Sequence, residues 1–106
     1  MSENETPDAP TDDSAQQVPM PPASFEYLVA TFRFQTEMQL GLLHFGEEKD
    51  RPKPDLQLAR HSIDLLAVLL EKTKGNLTFE EHRLLENSLT ELRFRYIHAV
   101  SESQKT

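Results

Sequence analysis

The chain has 106 residues, with 18 acidic against 11 basic side chains, a formal net charge of −7 and no cysteine. This length allows one domain, and the lack of cysteine excludes disulfides, thiolate metal sites and cysteine nucleophiles. The acidic balance argues against a nucleic-acid partner, because such binding depends on clustered Lys and Arg side chains. The longest apolar run, residues 65–70, is far shorter than the ~18 residues that indicate a transmembrane helix, so we predict no membrane-spanning segment.

The N-terminal segment differs in composition from the rest of the chain. Residues 1–22 contain five acidic side chains, five prolines and no lysine or arginine, and such a composition buries too little apolar surface to fold. We therefore predict a disordered acidic tail over residues 1–23, a helical domain over 24–102 and a disordered C-terminus over 103–106. The opening Met-Ser-Glu-Asn-Glu lacks the basic and apolar regions of a secretory signal, which favours a cytoplasmic location.

Sequence signals place helices, and no strands, after the tail. Ser24 is a suitable N-cap for the first helix, and Gly46 ends its pattern. Pro54 and Asp55 suit the first turn of the second helix, and Gly75 offers the left-handed residue that ends it. The three predicted helices cover about residues 24–45, 54–74 and 79–102.

The third predicted helix begins at a capping box. Thr78 and Glu81 have the Thr-x-x-Glu spacing, in which the hydroxyl accepts from the third helical amide and the carboxylate reaches back to the cap amide. Only a few residues separate this start from the end of the second helix, so helices two and three are expected to form an antiparallel pair. The predicted fold is all-α, a three-helix up-down-up bundle.

The first helix carries more apolar surface than a three-helix bundle needs. One face is expected to form the core, and a nearly opposite face contains Tyr27, Phe34, Met38, Leu42 and Phe45. Gly41 lies beside this second face and is expected to let two backbones approach closely. Because a large exposed apolar patch marks an interaction site, we predict a homo-oligomer. A symmetric dimer with helix one at its centre is favoured, and an unidentified protein partner is also possible.

Two alternatives stay open at this stage. Helix one could instead be the central helix of the bundle, covered on both sides by the other two, with no partner. The domain could also be a small-molecule or anion-binding bundle. Its binding groups would then be Arg93 and Arg95, which flank Phe94, or His61 and Asp64, which are spaced i, i+3 on the second helix.

The sequence contains no pattern typical of a catalytic, cofactor or metal site. It has no phosphate loop, no serine nucleophile elbow and no glycine-rich dinucleotide turn. The Glu-x-x-His pairs of di-iron bundles are absent as well. We therefore expect a non-enzymatic protein that uses no cofactor and no metal.

Three blocks of the sequence resemble a known family. They are the run from Asp55 to Leu66, the turn Glu-Lys-Thr-Lys-Gly-Asn-Leu-Thr at 71–78, and Leu84 to Tyr96. Together they are similar to the core of the family called domain of unknown function 1844, small bacterial helical proteins without an assigned activity. The resemblance covers about two thirds of the chain, from Phe25 to Tyr96. It implies a helical fold and a bacterial cytoplasmic setting, and it supplies no catalytic residue.

Overall fold

The computed structural model describes residues 18–105. Its helices are α1 (Phe25–Gln39), α2 (Leu56–Lys72) and α3 (Phe79–Ser103), and a short 3-10 turn, Glu48–Asp50, interrupts the connector between α1 and α2. No strand occurs within this part of the chain, so the prediction of an all-α, three-helix domain is confirmed. The up-down-up order stays a prediction. None of these helices is long and apolar enough to cross a membrane.

Side-chain caps fix where each helix begins. The Ser24 hydroxyl accepts from the Tyr27 amide at 3.0 Å, as predicted. The capping box of Thr78 and Glu81 is also confirmed, with both reciprocal hydrogen bonds formed. Helix α2 begins two residues later than predicted, because Asp55 acts as its N-cap and accepts from the Leu58 amide.

The predicted end of the first helix at Phe45 is wrong, because the helix ends at Gln39. Gly41 has a φ of +76° and forms the turn that stops the helix. Its amide donates to the Met38 carbonyl, and the Leu42 amide donates to the Glu37 carbonyl, both at 3.0 Å. This pair of bonds is the Schellman motif that satisfies the last carbonyls of a helix. The apolar residues after Gly41 kept the pattern going in the sequence, although the helix had already ended.

The connector between α1 and α2 folds back onto the end of α1. The Asp55 amide donates to the Gln39 carbonyl at 2.8 Å, and the Arg51 guanidinium donates to the Gly41 carbonyl. A Cβ at Gly41 would lie only 2.9 Å from the Pro52 carbonyl oxygen. The close approach of two backbones that was predicted at Gly41 therefore occurs inside the chain, between Gly41 and the connector.

The core lies where all three helices meet, and each helix contacts the other two. Its members are buried apolar side chains from all three helices: Val29, Ile63, Leu66, Leu85, Leu89 and Leu92. Thr36, Ser62 and Ser88 are also buried, one on each helix. The Thr36 hydroxyl donates to the Phe32 carbonyl and the Ser62 hydroxyl to the Gln39 side chain. Small side chains at these positions let the helices pack closely.

The structure describes only part of the two segments that were predicted to be disordered, residues 1–23 and 103–106. The tail prediction for residues 1–23 falls largely on residues 1–17, which lie outside the described residues. Residues 18–23 are exposed and have no regular secondary structure. At the other end, α3 extends through Ser103, one residue beyond the predicted end, and the Gln104 amide caps it by donating to the carbonyls of its last turn.

Candidate interaction surface on the first helix

Helix α1 presents an apolar stripe to solvent. Tyr27, Phe34 and Met38 point within roughly 40° of one another at 3.6 residues per turn. Phe34 is 57% exposed and Met38 is 55% exposed, and Thr31 lies in the same stripe between Tyr27 and Phe34. We call these four residues the α1 stripe. It contains no charged side chain.

The opposite side of α1 belongs to the core. Val29 and Thr36 are buried there, with Phe25 and Phe32 packed against the core. Helices α2 and α3 therefore cover one face of α1 and leave the α1 stripe exposed. The alternative in which α1 is a central helix covered on both sides is contradicted by this exposure.

The remaining predicted interface residues, Gly41, Leu42 and Phe45, lie beyond the C-terminal end of α1 and are not part of the helix. Leu42 is partly exposed and lines an open groove with Phe94 and Ala99 of α3. Phe45 is 97% exposed in the connector and shares no helical face with the α1 stripe, because the helix has ended before it. Gly41 is buried against the connector and does not belong to the surface. The sequence patterns contain no signal that places Phe94 near Leu42, because only tertiary packing brings the two together.

A network of charged side chains joins α1 to α3 beside the α1 stripe. Arg33 Nε donates to Glu37 Oε2 at 3.1 Å, and Arg33 Nη2 donates to Glu91 Oε1. Arg95 Nη2 donates to the other Glu91 oxygen at 3.1 Å. The hydrogen bonds from Arg95 and from Arg33 lower the pKa of the Glu91 carboxyl. Two arginines and two glutamates make this network electrically neutral.

Arg93 and Arg95 do not form the cluster that their adjacency in sequence indicates. Arg95 is held by Glu91 on the α1 side of α3. Arg93 instead lines a groove between α2 and α3, together with Arg60 and Asp64. Residues two apart on a helix point about 200° away from each other, which is why the pair separates. Sequence reasoning did not single out Arg60, because only packing of α2 against α3 brings it to Arg93.

A comparison with protein families identifies the family of this domain. The model of the family described as "Domain of unknown function (DUF1844)" matches residues 22–98. The chain belongs to this family. The match begins just before α1 and continues into the last part of α3, so it includes the whole core of the domain. Searches of curated proteins and of solved structures return no significant match.

The His61 and Asp64 pair of this DUF1844 protein lies on the outer side of α2. Both side chains are exposed, and Asp64 faces the groove that contains Arg60 and Arg93 whereas His61 does not line it. Across residues 18–105, no group of three or more His, Cys, Asp or Glu side chains could hold a metal ion. The structure therefore places His61 and Asp64 on one side of α2, and within residues 18–105 no third such group joins them in a metal site.

Proposed function

We propose that this DUF1844 domain is a non-enzymatic interaction module that forms a homodimer through α1. The observation that supports this proposal is the α1 stripe, an uncharged aromatic and methionine-containing face opposite the core. Fully burying a side chain such as Phe or Met is worth about 1.5–3 kcal/mol relative to leaving it in water. Exposed apolar faces of this kind mark interaction sites in soluble proteins.

The charged groups around the stripe fit a binding role better than a chemical one. Glu91, whose pKa is lowered by hydrogen bonds from Arg95 and Arg33, is ionised and engaged by both arginines. A carboxylate held in this way is a poor general base, because its low pKa gives little driving force for taking a proton. A bacterial cytoplasmic setting stays a prediction from the sequence.

The proposal is tested by the molar mass in solution of matched variants. Replacing Phe34 and Met38 together with glutamate puts two charges on the α1 stripe, and we expect the dimer to dissociate while the helical circular dichroism is retained. Phe79→Glu is the control, because Phe79 is 73% exposed and belongs to α3 rather than to the α1 stripe. A wild-type protein that stays monomeric at high micromolar concentration would overturn the proposal, as would a double variant that remains dimeric.

A second candidate function is anion binding in the groove between α2 and α3. The observation that favours it is the placement of Arg60 and Arg93 on the same groove, with Ile63 and Tyr96 as apolar lining. Asp64 also lines this groove, and its charge opposes an anion. Thermal unfolding with added inorganic phosphate tests the idea: binding raises the midpoint, and the rise should disappear in Arg93→Ala but persist in Arg95→Ala. No rise in the wild type would exclude a phosphate site here.

A further inference from the structure

We infer that the partner on the α1 stripe is a second copy of this chain, lying antiparallel in one defined register. In this register Tyr27 packs against the partner's Met38, and Thr31 packs against the partner's Phe34. The inference rests on the proposed homodimer and adds its geometry. It is carried by the order of side chains along the stripe.

The side chains of the α1 stripe match those of a second α1 stripe that runs in the opposite direction. Tyr27 and Thr31 are four residues apart, and so are Phe34 and Met38. A two-fold axis midway between Thr31 and Phe34 therefore places each large side chain of one copy opposite a different side chain of the other. Phe34 meets the small Thr31, so a ring fits over a short side chain on each side of the axis. Tyr27 meets the Met38 thioether, a favourable contact between sulfur and an aromatic ring.

Charge also favours a second copy in this orientation. The α1 stripe is uncharged, and the neighbouring network of Arg33, Glu37, Glu91 and Arg95 carries no net charge. This network therefore adds no net repulsion between two identical faces, whereas a network of charges of one sign would repel its copy. Antiparallel pairing also places the positive N-terminal end of each α1 beside the negative C-terminal end of the other.

The segments before and after α1 also carry exposed apolar side chains that the antiparallel pair brings together. Val18 and Met20 precede the helix, Leu42 and Phe45 follow it, and all four side chains are exposed. An antiparallel arrangement brings the leading segment of one copy next to the trailing segment of the other. In this arrangement the apolar side chains at the ends of the two copies cover one another.

Cysteine cross-linking tests the register, because the natural chain contains no cysteine. Tyr27→Cys and Met38→Cys chains, distinguished by a tag, are prepared separately and mixed, and a short bismaleimide is added. In the inferred register the two cysteines face each other, while like cysteines lie roughly 16 Å apart along the helix axes. We expect the mixed sample to form several-fold more covalent dimer than either variant alone. Thr90→Cys, exposed on α3, is the control and should not cross-link.

The outcomes separate this inference from the proposed function. Covalent dimer from Met38→Cys alone, at or above the mixed yield, would show parallel pairing and overturn the inference. A dimeric mass without mixed cross-linking would overturn the register while leaving the homodimer intact. A monomeric wild type would remove both. If a variant loses its dimeric mass, Met20→Cys mixed with Phe45→Cys probes the same register from outside the stripe, because both side chains are exposed and like cysteines then lie at opposite ends of the paired helices.

Discussion

Gly41 and Gly75 both have left-handed backbone conformations, with φ angles of 76° and 81°, but their surroundings differ. A Cβ at Gly41 would lie 2.9 Å from the Pro52 carbonyl oxygen, whereas a Cβ at Gly75 would meet no atom within 4 Å. Replacing each glycine with alanine therefore separates the cost of the conformation from the cost of the close approach. Gly75→Ala serves as the control for Gly41→Ala.

The conformational cost is common to both variants. A left-handed L-residue costs about 1–2 kcal/mol, and alanine recovers about 0.4–1 kcal/mol by restricting the unfolded chain. Gly75→Ala should thus lower the free energy of unfolding by roughly 0.5–1 kcal/mol. At Gly41 the Pro52 backbone must also move, which adds the about 1–3 kcal/mol typical of overpacking. We expect a total loss of about 2–3 kcal/mol for Gly41→Ala.

Urea unfolding followed by far-ultraviolet circular dichroism measures both losses. All samples are compared at one protein concentration, so that any contribution of self-association is the same. Gly41→Ala should show the lower midpoint with an unchanged slope. If the two alanine variants lose the same stability, the contact between Gly41 and the connector has no energetic role and the account of the α1 end is wrong.

Three further predictions concern the helix cap, the core and the charged network. Thr78→Ala removes the capping box and should lower the free energy of unfolding by about 1 kcal/mol; no change in urea would contradict the cap's role. Ser88→Ala removes a buried hydroxyl that has no hydrogen-bond partner among the described residues, so stability should stay equal or rise, and a clear loss would contradict this assignment. Glu91→Gln should destabilise the protein at neutral pH. Because folding lowers the Glu91 pKa through Arg95 and Arg33, its stabilisation is present above the unfolded pKa and lost as pH falls through the folded value. Urea midpoints of variant and wild type should therefore converge in acid, and a constant gap would refute the pairing.

The parts of the fold that local chemistry determines could be predicted from the sequence. Ser24, Thr78 and Glu81 act through residues within one turn, and their caps form as expected. The end of α1 depends on a distant contact instead. The sequence placed the end of the helix at Gly46, whereas the turn forms at Gly41, which packs against Pro52 of the connector.

The part of the candidate surface that depends on helical periodicity could also be predicted from the sequence, whereas the part that depends on tertiary packing could not. Helical periodicity alone separates Phe34 and Met38 from the core, and both are exposed. Periodicity could not place Leu42 beside Phe94 or Arg60 beside Arg93, because each of these pairs joins two elements that only tertiary packing brings together. Adjacency in sequence was misleading for Arg93 and Arg95, which the turn of the helix directs to different grooves.

The central claim is that the α1 stripe holds two copies of this chain together. The most direct measurement is the weight-average molar mass by sedimentation equilibrium over a range of micromolar concentrations, for the wild type and for the double variant Phe34→Glu and Met38→Glu. We expect the wild type to approach twice the chain mass of 12.2 kDa as concentration rises, and the double variant to stay at the chain mass. A wild type that stays at the chain mass throughout, or a double variant that associates as strongly as the wild type, would contradict this claim.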